Sequence, residues 1–301
     1  MSKVVLVLTL IFAGTELAAA QATIPAQFVS REDGGRIAYY TLLQAKTVPV
    51  FVLSGGPGTN SHYMRARGAL DRLAQRRSMI LFDQRGTSRS SDANGNESID
   101  QYVEDIEAIR KAVGAPQVDL LGHSFGGYLA IAYTSKYPQH VRGLVFVDSS
   151  VPKLGDVTQL MDQVFPDRIG EWRAKRATLG KHVKGADVVV FQSMEFVDEV
   201  ALREFLDFVK DHTSNMDVNN ALRKDMAGRD YWDDVKRFKQ PALVVHGRFD
   251  VIIAPSNSWK LHQALPNSKF YVIEAAGHLP HIERPDAFLA AVQPFLEALD
   301  R

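Results

Sequence analysis

Short apolar runs alternating with helix-spaced segments constrain this chain more than any other feature. Residues 49–54, 78–83, 118–121, 141–147, 242–246 and 269–273 each read as a buried strand. Between two of them Ile99, Tyr102, Val103, Ile106, Ile109 and Val113 recur at helical spacing, opened by a capping box at Ser98 and Gln101 and closed by Gly114 and Pro116. Residues 125–137 and 285–299 read as further helices, the second with an expected kink at Pro294. Residues 27–31 and 36–42 flank Asp33-Gly34-Gly35 as a hairpin. This order predicts an α/β fold with a mostly parallel central sheet flanked by helices. From 151 to 240 the alternation stops and the segment reads mainly helical, with Val197, Val200, Ala201, Phe205, Phe208 and Val209 on one apolar face. A helical lid inserted after the sixth strand is expected there, a plain helical layer of the core being the alternative.

Composition narrows the function classes. The 35 basic residues balance 35 acidic ones, so no global field points to nucleic acid or anionic lipid. The absence of cysteine excludes thiol catalysis, cysteine-ligated zinc and iron–sulfur clusters. At the N-terminus Lys3 precedes an apolar run over 4–14 and an Ala18-Ala19-Ala20 exit, the pattern of a secretory leader and too short to span a bilayer. The expected division is a signal peptide at 1–22, a core in two parts (23–150 and 241–301) and a cap at 151–240. Export, with no membrane anchor left after leader removal, follows as an expectation.

The strongest local signal is Gly122-His123-Ser124-Phe125-Gly126, set between a strand and a helix. This G-x-S-x-G turn lifts a serine hydroxyl above the sheet edge, where it needs a base and the base needs an orienting acid. His278 and Asp250 each lie just past the end of a later strand, in the chain order such a triad requires. Asp148, one strand earlier, is the alternative acid; chain order favours Asp250. The backbone N–H groups of Phe125 and of Gly56, in Gly55-Gly56-Pro57-Gly58, are the candidate oxyanion donors. His123 reads as structural, His246 as locally hydrogen-bonded and His281 as a solvated or packing residue. Without an H-E-x-x-H or a third ligand, no metal is expected, and without a G-x-G-x-x-G or Walker loop, no nucleotide or other cofactor.

The chain resembles the α/β-hydrolase superfamily over residues 27–299. Within it, Ser54-Gly55-Gly56-Pro57-Gly58 is similar to the H-G-G-P-G loop of the proline iminopeptidase group of serine peptidases, and Asp83-Gln84-Arg85-Gly86-Thr87-Ser88-Arg89-Ser90 to that group's D-Q-R-G-x-G-x-S. Ser54 replaces the loop histidine and Ser88 a glycine. The resemblance implies release of an N-terminal proline-like residue from small peptides through Ser124, Asp250 and His278. It also implies lid glutamates that hold the substrate's free amine. Glu195 and Glu199, four apart on an expected lid helix, are the candidates ahead of Glu204. A carboxylesterase or lactonase acting on small uncharged esters, and a non-catalytic binding protein, are the competing readings.

Overall fold

The computed structural model describes residues 24–91 and 97–301; the leader expected at 1–22 lies outside them. Ten strands follow in chain order: β1 (Gln27–Ser30), β2 (Arg36–Thr41), β3 (Val50–Leu53), β4 (Met79–Phe82), β5 (Val118–His123), β6 (Val141–Val147), β7 (His182–Lys184), β8 (Thr213–Asn215), β9 (Ala242–Gly247) and β10 (Ser268–Ile273). Eight form one sheet in the order β1-β2-β4-β3-β5-β6-β9-β10. β1 and β2 pair antiparallel to their neighbours, and the six strands from β4 to β10 are parallel. The chain passes from β3 outward to β4 and returns on the other side of β3 to β5. The crevice at the C-terminal ends of β3 and β5 is therefore the topological switch point, where sheets of this kind bind ligands.

Alternation along the strands builds two cores. In β3, Phe51 and Leu53 face the layer of helices Ile99–Ala112, Phe125–Lys136 and Pro255–Ala264, while Val50 and Val52 face the layer of Ala69–Leu73 and Pro285–Leu299. Helix Phe125–Lys136 is buried on all sides from Phe125 to Thr134, which is why its sequence lacks a polar face. Helix Ile99–Ala112 starts where expected, with the Ser98 hydroxyl accepting the Gln101 N–H at 3.3 Å. Helix Pro285–Leu299 runs unbroken through Pro294.

The Asp83–Ser90 motif is a clamp. Arg85 is fully buried and forks onto both oxygens of Asp105 (3.0 and 2.6 Å) while reaching Asp33 at 2.7 Å. The Asp83 carboxylate accepts from Tyr40 at 2.6 Å, and its backbone carbonyl accepts from Ser90 at 2.6 Å. At Ser88, where the resembled group carries glycine, φ is +47°, so serine here occupies the left-handed region that glycine enters freely. Arg85→Ala removes the fork from a carboxylate that is 1% exposed, leaving Arg31 as its cationic partner. The expected loss is about 3–5 kcal/mol of stability, read as a lower urea midpoint at unchanged slope.

Between β6 and β9 the chain is largely helical, with Pro166–Arg176, Glu199–Val209 and Met216–Met226 as its main helices. Two findings depart from the sequence reading. An antiparallel ribbon, β7 with β8, runs through the segment, and three-residue strands offer too little alternation to read. Helix Glu199–Val209 begins only at Glu199, because the Asp198 side chain caps it by accepting the Val200 and Ala201 N–H groups. Glu195 therefore precedes that helix, and the argument that put Glu195 and Glu199 on one face does not hold.

Candidate active site

Ser124 sits on the turn between β5 and the buried helix, with φ +55° and ψ −120°, a conformation costly for any residue with a side chain. The glycines around it are dictated by contact. A Cβ on Gly122 would strike the Gly126 carbonyl, and one on Gly126 the Leu53 carbonyl of β3. Ser124 is 9% exposed and opens onto a cavity of about 430 Å³, a volume suited to a small ligand. His278, Gly56 and Phe125 line the same cavity, and lid residues Trp172, Phe191, Glu195 and Phe205 wall it.

His278 Nδ1 donates to Asp250 Oδ2 at 2.7 Å. Burial opposes the imidazolium, but the Asp250 charge and this hydrogen bond outweigh it and raise the His278 pKa. Burial likewise pushes Asp250 up, and His278 more than compensates, holding it below the ordinary carboxylate value. Asp250 Oδ1 also accepts the N–H groups of Ile252 and Ile253 at 2.8 and 3.0 Å. Asp148 is placed differently. Its Oδ1 accepts the Gly247 N–H at 2.9 Å, and burial followed by the Asp250 charge pushes its pKa up, opposite to the shift of Asp250.

Asp148, His246 and Asp250 bring potential ligand atoms within 4.8 Å of one another. The imidazole of His246 is committed, however, with Nδ1 against Ser258 Oγ at 2.7 Å and Nε2 donating to the Ile253 carbonyl at 2.9 Å. Burial pushes its pKa down to about 4. The trio is a hydrogen-bonded support for the Asp250 loop and offers no free imidazole lone pair to a metal. His281 is a packing residue, fully buried against His123 and Phe288 and pushed down to about 3 by burial.

Residues inside and outside the motifs join these loops together. The Gly55 N–H donates to the Tyr63 hydroxyl (2.6 Å), which meets His123 Nδ1 at 2.7 Å, while His123 Nε2 reaches the His278 carbonyl at 2.8 Å. His123 thus ties the glycine loop after β3 to the backbone of His278. Gln84 Nε2 donates to the carbonyl of Ser54 at 2.9 Å and of Gly55 at 3.3 Å, and its Oε1 accepts from Gly58. Glu283 accepts the Gly277 N–H at 2.6 Å with one oxygen and those of Val197 and Asp198 at 2.7 and 2.9 Å with the other. That carboxylate fastens the His278 loop to the lid. Local sequence carries no signal for Tyr63 or Glu283, since each acts across sixty residues or more or on bare backbone.

Glu195 stands in the cavity, and its carbonyl accepts the His278 N–H at 2.7 Å. Burial raises its carboxyl pKa to about 7. Glu199 is exposed and does not line the cavity. Glu204 is also exposed and pairs with Arg67 at 2.9 Å.

Residues 48–285 match the family described as alpha/beta hydrolase fold. The proline iminopeptidase of Heyndrickxia coagulans is 29% identical over 286 residues, covering 88% of this chain and 96% of the relative. That of Saccharolobus solfataricus is 27% identical over 278 residues, covering 86% and 88%. Among solved structures, an esterase from Exiguobacterium antarcticum superposes with a TM-score of 0.72 at 19% identity, over 91% of this chain and all of the other. Esterase RhEst1 from Rhodococcus gives 0.73 at 22%, over 91% and 99%. These two structures share the fold, while the two sequence relatives are proline iminopeptidases. The chain belongs to the α/β hydrolase fold family: it is a hydrolase resembling the proline iminopeptidases.

Proposed function

We propose that the protein is an exported serine peptidase that releases an N-terminal, proline-like residue from small peptides through an acyl-enzyme on Ser124. Residues 151–240 serve as its cap, and the leader pattern at 1–22 supports export. The observation that carries the substrate reading is Glu195, a sheltered carboxyl in the same cavity as Ser124 and His278 with no ion-pair partner among the described residues. A free ammonium buried without a partner costs several kcal/mol, and this carboxylate supplies the partner. Gln192 adds a buried Oε1 on the same wall, without a hydrogen-bond partner among the described residues.

Chemistry follows from these positions. Neutral His278 takes the Ser124 proton as Oγ attacks the scissile carbonyl, and Asp250 stabilises the imidazolium that forms. The N–H groups of Phe125 and Gly56 receive the oxyanion. His278 then returns the proton to the leaving amine, and a water, activated the same way, frees the acyl group. Glu199 and Glu204 take no part.

The test compares proline arylamide with its N-acetylated analogue. The free amine is expected to be turned over at least about 10-fold faster in kcat/KM, and Glu195→Gln to shrink that ratio. The carboxyl of Glu195 ionises as pH rises through about 7, so affinity for the ammonium is expected to strengthen over that interval. Turnover is also expected to rise with pH as His278 loses its proton, a step that the Asp250 charge moves above the ordinary imidazole range. Equal rates on free and acetylated substrates, with fast hydrolysis of short acyl esters or lactones, would make the protein an esterase. Inactivity on every substrate would make it a binding module.

A further inference from the structure

Two arginines enter the same cavity from the lid. Arg176 ends helix Pro166–Arg176 and Arg223 lies in the last turn of helix Met216–Met226. Among the described residues neither has a carboxylate at ion-pair distance. Arg176 donates only to the neutral side-chain oxygens of Asn219 and Asn220, both at 3.3 Å. Arg223 retains solvent exposure, yet burial and then the neighbouring Arg176 charge lower its pKa. Other arginines of this protein do find carboxylates, as Arg85, Arg142 and Arg229 do with Asp105, Asp119 and Asp100. Two neighbouring guanidiniums without an anion repel each other, and each presents a planar fork that matches a carboxylate.

Their position relative to Glu195 is informative. The helix carrying Arg223 is anchored on the glycine loop after β3, where Asn219 Nδ2 donates to the Pro57 carbonyl at 2.8 Å and the Asn215 N–H to that of Gly58 at 2.7 Å. Glu195 is tied instead to the His278 loop. Glu195 and the two arginines thus line one cavity with Ser124 but are held by different loops, that of His278 and the glycine loop after β3.

We propose that Arg176 and Arg223 form an anion subsite for the free C-terminal carboxylate of a short peptide, so that the cavity selects zwitterionic di- and tripeptides over long chains and neutral esters. The inference rests on the aminopeptidase reading for the other end of the substrate. A peptide whose two termini must both lie within about 430 Å³ is short by geometry.

Steady-state kinetics on the dipeptide Pro-Gly and on Pro-Gly amide test it, because both present the same bond to the same catalytic groups. The free acid is expected to show a KM about 10-fold or more below that of the amide, since a charge-assisted pair is lost. The ratio should fall with added salt. Arg223→Gln should reduce the acid-to-amide discrimination, the Arg176→Gln/Arg223→Gln double variant bring it near one, and Arg223→Lys retain part of it. A wild-type ratio of one, or a ratio the double variant leaves unchanged, overturns the subsite. The monoester and diester of succinic acid separate this from the parent reading. Loss of the free-amine preference with the monoester still favoured leaves the subsite standing without the peptidase. Free-amine preference with acid and amide alike leaves the peptidase standing without the subsite.

Discussion

Ser124→Ala is expected to lower kcat on proline arylamide by about 10⁶, leaving only what binding and the oxyanion donors provide. The fold should be unaffected, since alanine at φ +55° bears the same backbone strain as serine and the surrounding glycines are unchanged. Circular dichroism and the thermal midpoint check that premise, and single-turnover kinetics read the loss. His278→Ala should behave alike, and the double variant should lose no more than either single one, because nucleophile and base act as a unit. Activity persisting in a folded Ser124→Ala protein would remove Ser124 from the chemistry.

The second large effect separates the two buried aspartates. Asp250→Asn keeps the shape but places an amide against His278 Nδ1, favouring the wrong tautomer, and kcat should fall by about 10⁴. Asp148→Asn should cost far less. Its Oδ1 serves the Gly247 N–H and lies 3.5 Å from His246, whereas His278 Nδ1 is bonded to Asp250. Asparagine reproduces the acceptor, and burial and the Asp250 charge already disfavour the ionised form of the native side chain. The opposite ranking of the two variants would move the acid to the end of β6.

Much of this architecture is legible in the sequence because it rests on local pattern. β6 and helix Pro285–Leu299 match their expected limits, and β3, β4 and β9 differ by a residue or so at their ends, where pairing decides and composition does not. The serine turn is legible for the same reason: its glycines are forced by contacts within a few residues and with the adjacent strand. The lid is where reading fails. One side chain, Asp198, decides where helix Glu199–Val209 starts, so periodic spacing alone extends the helix back through Glu195. The ribbon of β7 and β8 is set by pairing across some thirty residues and by the Asn215 N–H reaching Gly58. Tyr63 reaches the His123 ring 60 residues on, and Glu283 binds the backbone of Val197 and Asp198 more than eighty residues back, pairings that no spacing rule encodes. The Asp83–Ser90 motif lies between these cases. Its resemblance is visible in the sequence, but only the fold shows that Gln84 and Arg85 brace the glycine loop and the sheet edge.

The account centres on a covalent acyl-enzyme at Ser124, and trapping that serine tests it most directly. The full protein is treated with a fluorophosphonate, its intact mass recorded, and the labelled peptide sequenced by mass spectrometry alongside residual turnover of proline arylamide. One adduct per chain on Ser124, with activity lost in proportion to labelling and neither adduct nor activity in Ser124→Ala, is the predicted result. An adduct on another residue, or turnover that survives stoichiometric modification of Ser124, would contradict it.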